Sequence, residues 1–173
     1  IKQVVFDKTG TLTTGQFRVG KWQVTDQAVS EDEFKRIVYS LEKYSNHPLA
    51  KTIAAEWKVK NEIRWKKVDE QKGLGMIATD MEGNRFAAGS YQMAMDQTKE
   101  DHHNINILKN GLLTGWIDLA DELRPEAKDI IRYLKSKQIR TILLSGDRYE
   151  KTKQLASDLG IDEVIAEQTP DQK

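Results

Sequence analysis

Two short apolar runs, far apart in the chain, constrain its fold more than any other feature. Residues 2–6, Lys-Gln-Val-Val-Phe, and residues 141–144, Thr-Ile-Leu-Leu, have the length and β-branched character of buried strands. The second run sits inside an alternation of helix and strand signals. Pro125 opens an amphipathic helix with Ile130, Ile131 and Leu134 inward, residues 149–159 form a helix stopped by Gly160, and residues 163–166 read as a strand. Such alternation implies a parallel sheet with right-handed crossovers, and the run at 2–6 is apolar enough to join it. The fold class is α/β, Rossmann-like and discontinuous in sequence.

The intervening chain has a different rhythm. Residues 17–25 alternate loosely as a strand, and Ser30-Glu31-Asp32-Glu33 is a capping box opening a helix whose apolar face is Phe34, Ile37, Val38 and Leu41. Pro48 suits the first position of a second helix carrying Leu49, Ile53 and Trp57. Strands follow at 64–68, at 76–79 and 85–88 as a hairpin over Glu82-Gly83-Asn84, and at 105–108 and 112–119 about Asn110-Gly111, with a short helix at 91–95. The reading is an inserted α+β antiparallel domain at 15–111, flanked by the two pieces of the α/β domain at 1–14 and 112–173. Trp22, Trp57, Trp65 and Trp116 are expected to pack core and hairpins. His102 and His103 are expected in an exposed loop, a poor metal site without further ligands.

Lys plus Arg and Asp plus Glu both number 27, so no net field draws the chain to nucleic acid or an anionic membrane. No apolar run approaches bilayer length. Cysteine is absent, which excludes disulfides and thiolate metal sites. The start at Ile1 and the end at Asp171-Gln172-Lys173 read as those of an excised, monomeric, soluble piece, truncated at the C-terminal side of the α/β domain.

In open α/β sheets ligands bind beyond the carboxyl ends of the strands. Asp7 stands at such an end, before a loop of glycines and threonines able to aim N–H and hydroxyl donors at an anion. A lone aspartate there reads as a cap of a strand-to-helix turn. The second strand, however, ends in Ser145-Gly146-Asp147, which brings a hydroxyl, a glycine and a carboxylate to the same sheet. Together they suit phosphoryl handling, with Asp7 as a nucleophile forming an acyl phosphate.

Asp7-Lys8-Thr9-Gly10-Thr11-Leu12-Thr13 resembles the phosphorylation signature of P-type ATPases, within the haloacid-dehalogenase superfamily. Asp121-Glu122-Leu123-Arg124-Pro125 resembles the Asp-x-Leu-Arg-Pro segment of that family, Ser145-Gly146-Asp147 its Thr-Gly-Asp, and Pro170-Asp171-Gln172-Lys173 its Pro-x-x-Lys. Phosphatases of the superfamily carry a second aspartate two residues after the nucleophile; here that position is Thr9, so hydrolysis of the aspartyl phosphate should slow. In the insert, Ser45-Asn46-His47-Pro48 resembles the Ser-x-His-Pro motif of heavy-metal (type IB) pumps, whose histidine orients adenine, and Glu42 matches the acidic residue before it. Gly73-Leu74-Gly75 resembles the family's Gly-x-Gly. Gly89-Ser90 falls where the family has Gly-Asn, and serine departs from it with a shorter reach. The Lys-Gly-Ala pattern of calcium- and sodium-type pumps is missing.

The resemblance implies ATP held by Glu42, Ser45, His47, Pro48, Gly73, Gly75, Gly89 and Ser90, with hinge closure at Thr14-Gly15 and Asn110-Gly111. It also implies Mg²⁺ on the Asp7 carboxylate and the Thr9 carbonyl, with Lys8, Ser145, Gly146, Asp147 and Lys173 completing the phosphoryl site. The expected partners are the actuator and transmembrane domains of a membrane-embedded parent protein, on its cytoplasmic side, with copper as the first expected cargo ahead of zinc or cadmium. The Gly-Asp-Gly-x-Asn-Asp segment of the family is missing, so the piece is expected to bind ATP but turn over poorly. A stand-alone phosphatase and a non-catalytic nucleotide-binding module are the alternatives.

Overall fold

The computed structural model describes residues 1–168. They form two compact units: Ile1–Gln16 with the chain from Asp121 onward, and Phe17–Ala120.

In the first unit, β1 (Gln3–Asp7), β8 (Arg140–Leu144) and β9 (Glu163–Ile165) form a parallel sheet in the order β1-β8-β9. Helices α4 (Ala127–Ser136) and α5 (Tyr149–Leu159) are the crossover elements, and Gly160 ends α5 in the left-handed conformation at φ 77°. The core joins Leu12, Ala127, Ile131, Leu143, Ala156, Leu159 and Ile161. The Asp162 carboxylate accepts from both Thr141 N and Thr141 Oγ1 at 2.8 Å, tying the approach to β9 onto β8. These bonds, the backbone one foremost, hold its pKa below the usual carboxylate value.

Two expectations change here. Helix α4 starts at Ala127, not Pro125, and Ala127 and Ile131, one turn apart, take the inward face; Ile130, rotated by one residue, is 47% exposed. Strand β1 pairs with β8 along one edge, and Val5 is 50% exposed, not buried.

A six-stranded sheet, most of whose residues belong to the second unit, runs in the order β2-β7-β6-β5-β4-β3. Its strands are β2 (Thr13–Val24), β3 (Trp65–Gln71), β4 (Gly75–Asp80), β5 (Arg85–Gly89), β6 (Ile105–Lys109) and β7 (Leu112–Leu123). Helices α1 (Glu31–Glu42), α2 (Pro48–Glu56) and α3 (Tyr91–Ala94) accompany it. Phe34, Ile37, Val38 and Leu41 on α1 are wholly buried against Ile53, Met76, Phe86, Ile107 and Ile117. Trp22 stacks on Phe34 at 6.1 Å and meets Trp57 edge-on at 5.3 Å, while Trp65 lies 5.2 Å from Phe86. The α1 cap is one-sided: Ser30 Oγ accepts from Glu33 N at 3.2 Å, but the Glu33 carboxylate pairs with Arg36 in place of closing the box.

The expected boundary at 111/112 moves. Strand β7 pairs with β6 from Lys109↔Leu112 to Ile105↔Ile117, which keeps residues 112–120 with the insert. Asn110 and Gly111, expected as a hinge, are the turn of that hairpin, with φ of 51° and 81° as a type I′ turn demands. Among the described residues no helix is long and apolar enough to cross a membrane.

The strands β4 and β5 touch where they carry glycine. A Cβ on Gly89 would lie 2.1 Å from the Leu74 carbonyl oxygen and 2.3 Å from Met93 Sδ. Gly89→Ala should therefore cost about 2 kcal/mol, seen as a lower urea midpoint at unchanged slope. An unshifted midpoint would mean the two strands can separate freely there.

Candidate functional site

Parallel pairing fixes the first constellation. Asp7 stands opposite Leu144 in the β1–β8 register, so both strands end at one edge of the sheet and Ser145-Gly146-Asp147 leaves beside Asp7. The loop Lys8–Leu12 turns through an extended Thr9 (φ −74°, ψ 123°) and a left-handed Gly10 (φ 78°). Thr13 Oγ1, wholly buried, accepts from Gly10 N at 3.1 Å, and the Arg124 guanidinium donates to Gly10 O at 3.1 Å. Arg124 N also donates to Leu12 O at 2.9 Å, so the Asp121–Pro125 segment holds the loop from behind.

Lys8 does not extend into solvent. Its Nζ pairs with the carboxylates of both Asp121 and Asp147, and its side chain is only 12% exposed. Burial alone would lower its pKa, but hydrogen bonds and charges from Asp121 and Asp147 outweigh burial and hold it above the ordinary lysine value. Lys8→Met would strand the Asp121 carboxylate, which is 8% exposed and whose Oδ1 already lacks a partner among the described residues. The expected cost is about 3 kcal/mol, visible as a lower thermal midpoint, and an unchanged midpoint would show that the pairs contribute nothing.

Ser145 is 1% exposed, and its Oγ accepts from Asp147 N at 3.1 Å. The Asp147 carbonyl accepts from Glu167 N at 3.0 Å, while Gly146 is open to solvent. The donor set expected for a cation, the Asp7 carboxylate and the Thr9 carbonyl, is oxygen only, and no cluster of three His, Cys, Asp or Glu occurs among the described residues. Such a set suits Mg²⁺, which keeps several waters when bound, better than a zinc-like cage. Lys173 lies outside the described residues.

The second constellation is a cavity of about 500 Å³ in the inserted unit. Glu42, Ser45, His47, Gly73, Gly75, Gly89 and Ser90, all picked from sequence, line it. Pro48 does not; it starts α2 while the His47 ring caps it, Nδ1 accepting from Leu49 N at 3.3 Å. With Nδ1 accepting, the neutral ring carries its proton on Nε2. Ser45 is an anchor, its hydroxyl accepting from His47 N at 3.1 Å and donating to Glu70 Oε1 at 2.8 Å. Gly75 and Gly89 face each other in register, and a Cβ on Gly75 would fall 2.1 Å from the Ala88 carbonyl oxygen. Ser90 Oγ is buried without a partner among the described residues, so it is not offered to the cavity in this conformation.

Glu42 is 4% exposed at the end of α1. Burial, reinforced by the charge of Glu70, pushes its pKa up to about 8. Glu70, Lys72 and Asn104 also line the cavity and were missed in the sequence. Lys72 adjoins the Gly-x-Gly stretch and could have been flagged; Glu70 lies in a strand read as ending at Val68, and Asn104 stands just before the strand read at 105–108, where no motif marks it. His103 corrects a stronger expectation. Its side chain is 4% exposed, stacked on Trp116 at 3.7 Å, with Nδ1 3.1 Å from Asp118 Oδ2 and Nε2 3.1 Å from Glu100. Burying the ring on Trp116 while satisfying both nitrogens favours this over an exposed loop.

A parallel sheet with crossover helices, delivering a carboxylate and a Ser-Gly-Asp turn to one edge, places the chain among the α/β proteins. More narrowly, the chain belongs to the haloacid dehalogenase-like hydrolases, whose family model matches residues 1–173. It is 32% identical to a zinc-transporting ATPase of Bacillus subtilis (strain 168) across the whole chain and 29% of that relative. It is 34% identical to copper-exporting P-type ATPase B of Archaeoglobus fulgidus across the whole chain and 26% of that relative. The chain thus spans less than a third of the length of these relatives. Among solved structures it is similar to a zinc-transporting PIB-type ATPase in the E2.Pi state, with a TM-score of 0.80 and 26% identity over 99% of this chain and 30% of that one. The catalytic domain of the CPx-ATPase CopB-B matches with a TM-score of 0.77 and 27% identity over 99% of this chain and 65% of that one.

Proposed function

We propose that this chain is the ATP-binding and phosphorylation region of a heavy-metal-transporting P-type ATPase, on the cytoplasmic side of a membrane-embedded parent, with copper as the first candidate cargo. The observation that carries this reading is the β1–β8 register, which sets Asp7 and Ser145-Gly146-Asp147 at one sheet edge. The names of the relatives support the pump class and include both copper and zinc transporters.

ATP is the substrate, held by the inserted unit. The His47 Nε2–H and the neutral form of Glu42 meet the base, the glycine backbones at 73, 75 and 89 allow close approach, and Lys72 at the cavity wall offers charge to the phosphates. An Asp7 carboxylate oxygen attacks the γ-phosphorus as the bond to the β–γ bridging oxygen breaks, giving an aspartyl phosphate and ADP. Mg²⁺, when bound at Asp7 and the Thr9 carbonyl, would neutralise charge on the transferring group. Ser145, Gly146 and Lys173 are the proposed donors to its oxygens, while Lys8 and Asp147 brace the loop against each other. Thr9 supplies no carboxylate to activate water, which disfavours a stand-alone phosphatase.

Calorimetric titration of ATP tests the binding half. His47→Ala should raise Kd about tenfold, the effect of losing one well-placed hydrogen bond. Equal affinities would remove His47 from the site, and binding without any phosphoenzyme would favour a non-catalytic nucleotide module.

A further inference from the structure

We propose that Asn104 is a nucleotide-contacting residue whose carboxamide nitrogen is presented to the cavity by a clamp of His103, Asp118 and the Leu119 backbone. The inference rests on the reading of this cavity as a nucleotide site. Asn104 lines the cavity just before β6 and is exposed at its rim. Its orientation is fixed from both ends. Asn104 N donates to Asp118 Oδ1 at 3.2 Å, and the side-chain Oδ1 accepts from Leu119 N at 2.9 Å. With its oxygen engaged, the polar capacity left on the side chain is the NH₂ group, two donors with no hydrogen-bond partner among the described residues.

The clamp is itself held. Asp118 accepts from His103 Nδ1 through both carboxylate oxygens, at 3.2 and 3.1 Å, and Glu100 takes the other ring nitrogen at 3.1 Å. The His103 ring packs flat on Trp116 at 3.7 Å, with His102 at 4.1 Å on its own loop. A loop residue is thereby given the precision of a sheet residue.

The neighbouring position makes the role specific. Gly89 pairs with Asn106, which sets Ser90 across from Ile105, next to Asn104 on the same wall. Since Ser90 Oγ is buried, Asn104 is the side-chain donor this part of the wall offers. Its partner is a hydrogen-bond acceptor on the nucleoside, either a ribose hydroxyl oxygen or a ring nitrogen.

Asn104→Asp tests this directly, because the carboxylate can still accept from Leu119 N but brings no donor. Calorimetry should show ATP bound about tenfold more weakly by this variant, with the thermal midpoint unchanged. Binding of 2′-deoxy-ATP, 3′-deoxy-ATP and 7-deaza-ATP identifies the acceptor: the analogue lacking it should lose affinity for wild type but bind wild type and Asn104→Asp alike. His103→Phe keeps the stack on Trp116 but leaves Asp118 only the Asn104 N donor, and it should weaken ATP while sparing that same analogue. A purely structural role would weaken all ligands equally. Unchanged ATP affinity in Asn104→Asp, while His47→Ala loses affinity, overturns the proposal alone. Failure of wild type to bind ATP overturns both readings.

Discussion

Asp7→Asn is expected to abolish acid-stable labelling of the protein by γ-³²P-ATP with Mg²⁺, lowering the rate of phosphoryl incorporation by at least about a thousandfold. The amide is nearly isosteric with the carboxylate, so β1 should keep its register with β8 and the loop its Thr13 and Arg124 supports. What is lost is the nucleophile, since an amide oxygen is a far weaker attacker of phosphorus. ATP affinity should not fall, because the cavity lining lies wholly in the inserted unit. The label in wild type should be released by hydroxylamine, as an acyl phosphate is. Equal labelling of Asp7→Asn, or label resistant to hydroxylamine, would move the acceptor elsewhere and sink the assignment. The wild-type label should form once and persist, because the exposed Thr9 beside the acceptor has no carboxylate with which to activate water.

Features governed by local chemistry were legible in the sequence. Strand and helix existence followed from periodicity, and the start of α2 followed from Pro48. The cavity lining followed from the resemblance of short motifs to those of heavy-metal pumps, and two of its glycines have a steric reason in the fold: Gly75 and Gly89 touch backbone to backbone. What could not be read depends on partners distant in sequence. Lys8 was expected within the phosphoryl site without named partners, and Asp121 and Asp147 hold its ammonium from far along the chain. His103 seemed exposed because nothing local shows that Trp116 and Asp118 come to meet it from β7. The 111/112 boundary failed likewise, since a turn signal marks a hairpin but not which unit its second strand belongs to. Ile130 and Ile131 show the limit of pattern reading, because neighbours on a helix point in different directions and the packing partners that choose between them lie elsewhere in the chain.

Glu42→Gln should remove the largest pH dependence of stability in the inserted unit. Folding buries Glu42 near Glu70, and its pKa rises from 4.5 to about 8, burial being the larger cause and the Glu70 charge the second. The folded state therefore binds a proton that the unfolded chain has released across that interval. By linkage the stabilisation from this proton is complete below pH 4.5, declines as pH rises, and is gone above pH 8. A shift of that size corresponds to about 5 kcal/mol over the full window. Glutamine keeps the shape and never ionises, so its stability curve lacks this slope. Urea unfolding from pH 4 to 9 should show the two proteins converging at the acid end and the variant increasingly more stable toward the alkaline end. Glu70→Gln should lower the midpoint of the wild-type decline without abolishing it, since burial remains. Parallel curves for wild type and Glu42→Gln would mean Glu42 is solvated or paired in solution, and the neutral donor assigned to the base-binding wall would go with it. If they diverge as expected, ATP affinity in wild type should hold at lower pH and fall as pH rises through about 8, because ionisation of Glu42 in the folded protein removes an O–H donor and sets a charge in the cavity wall.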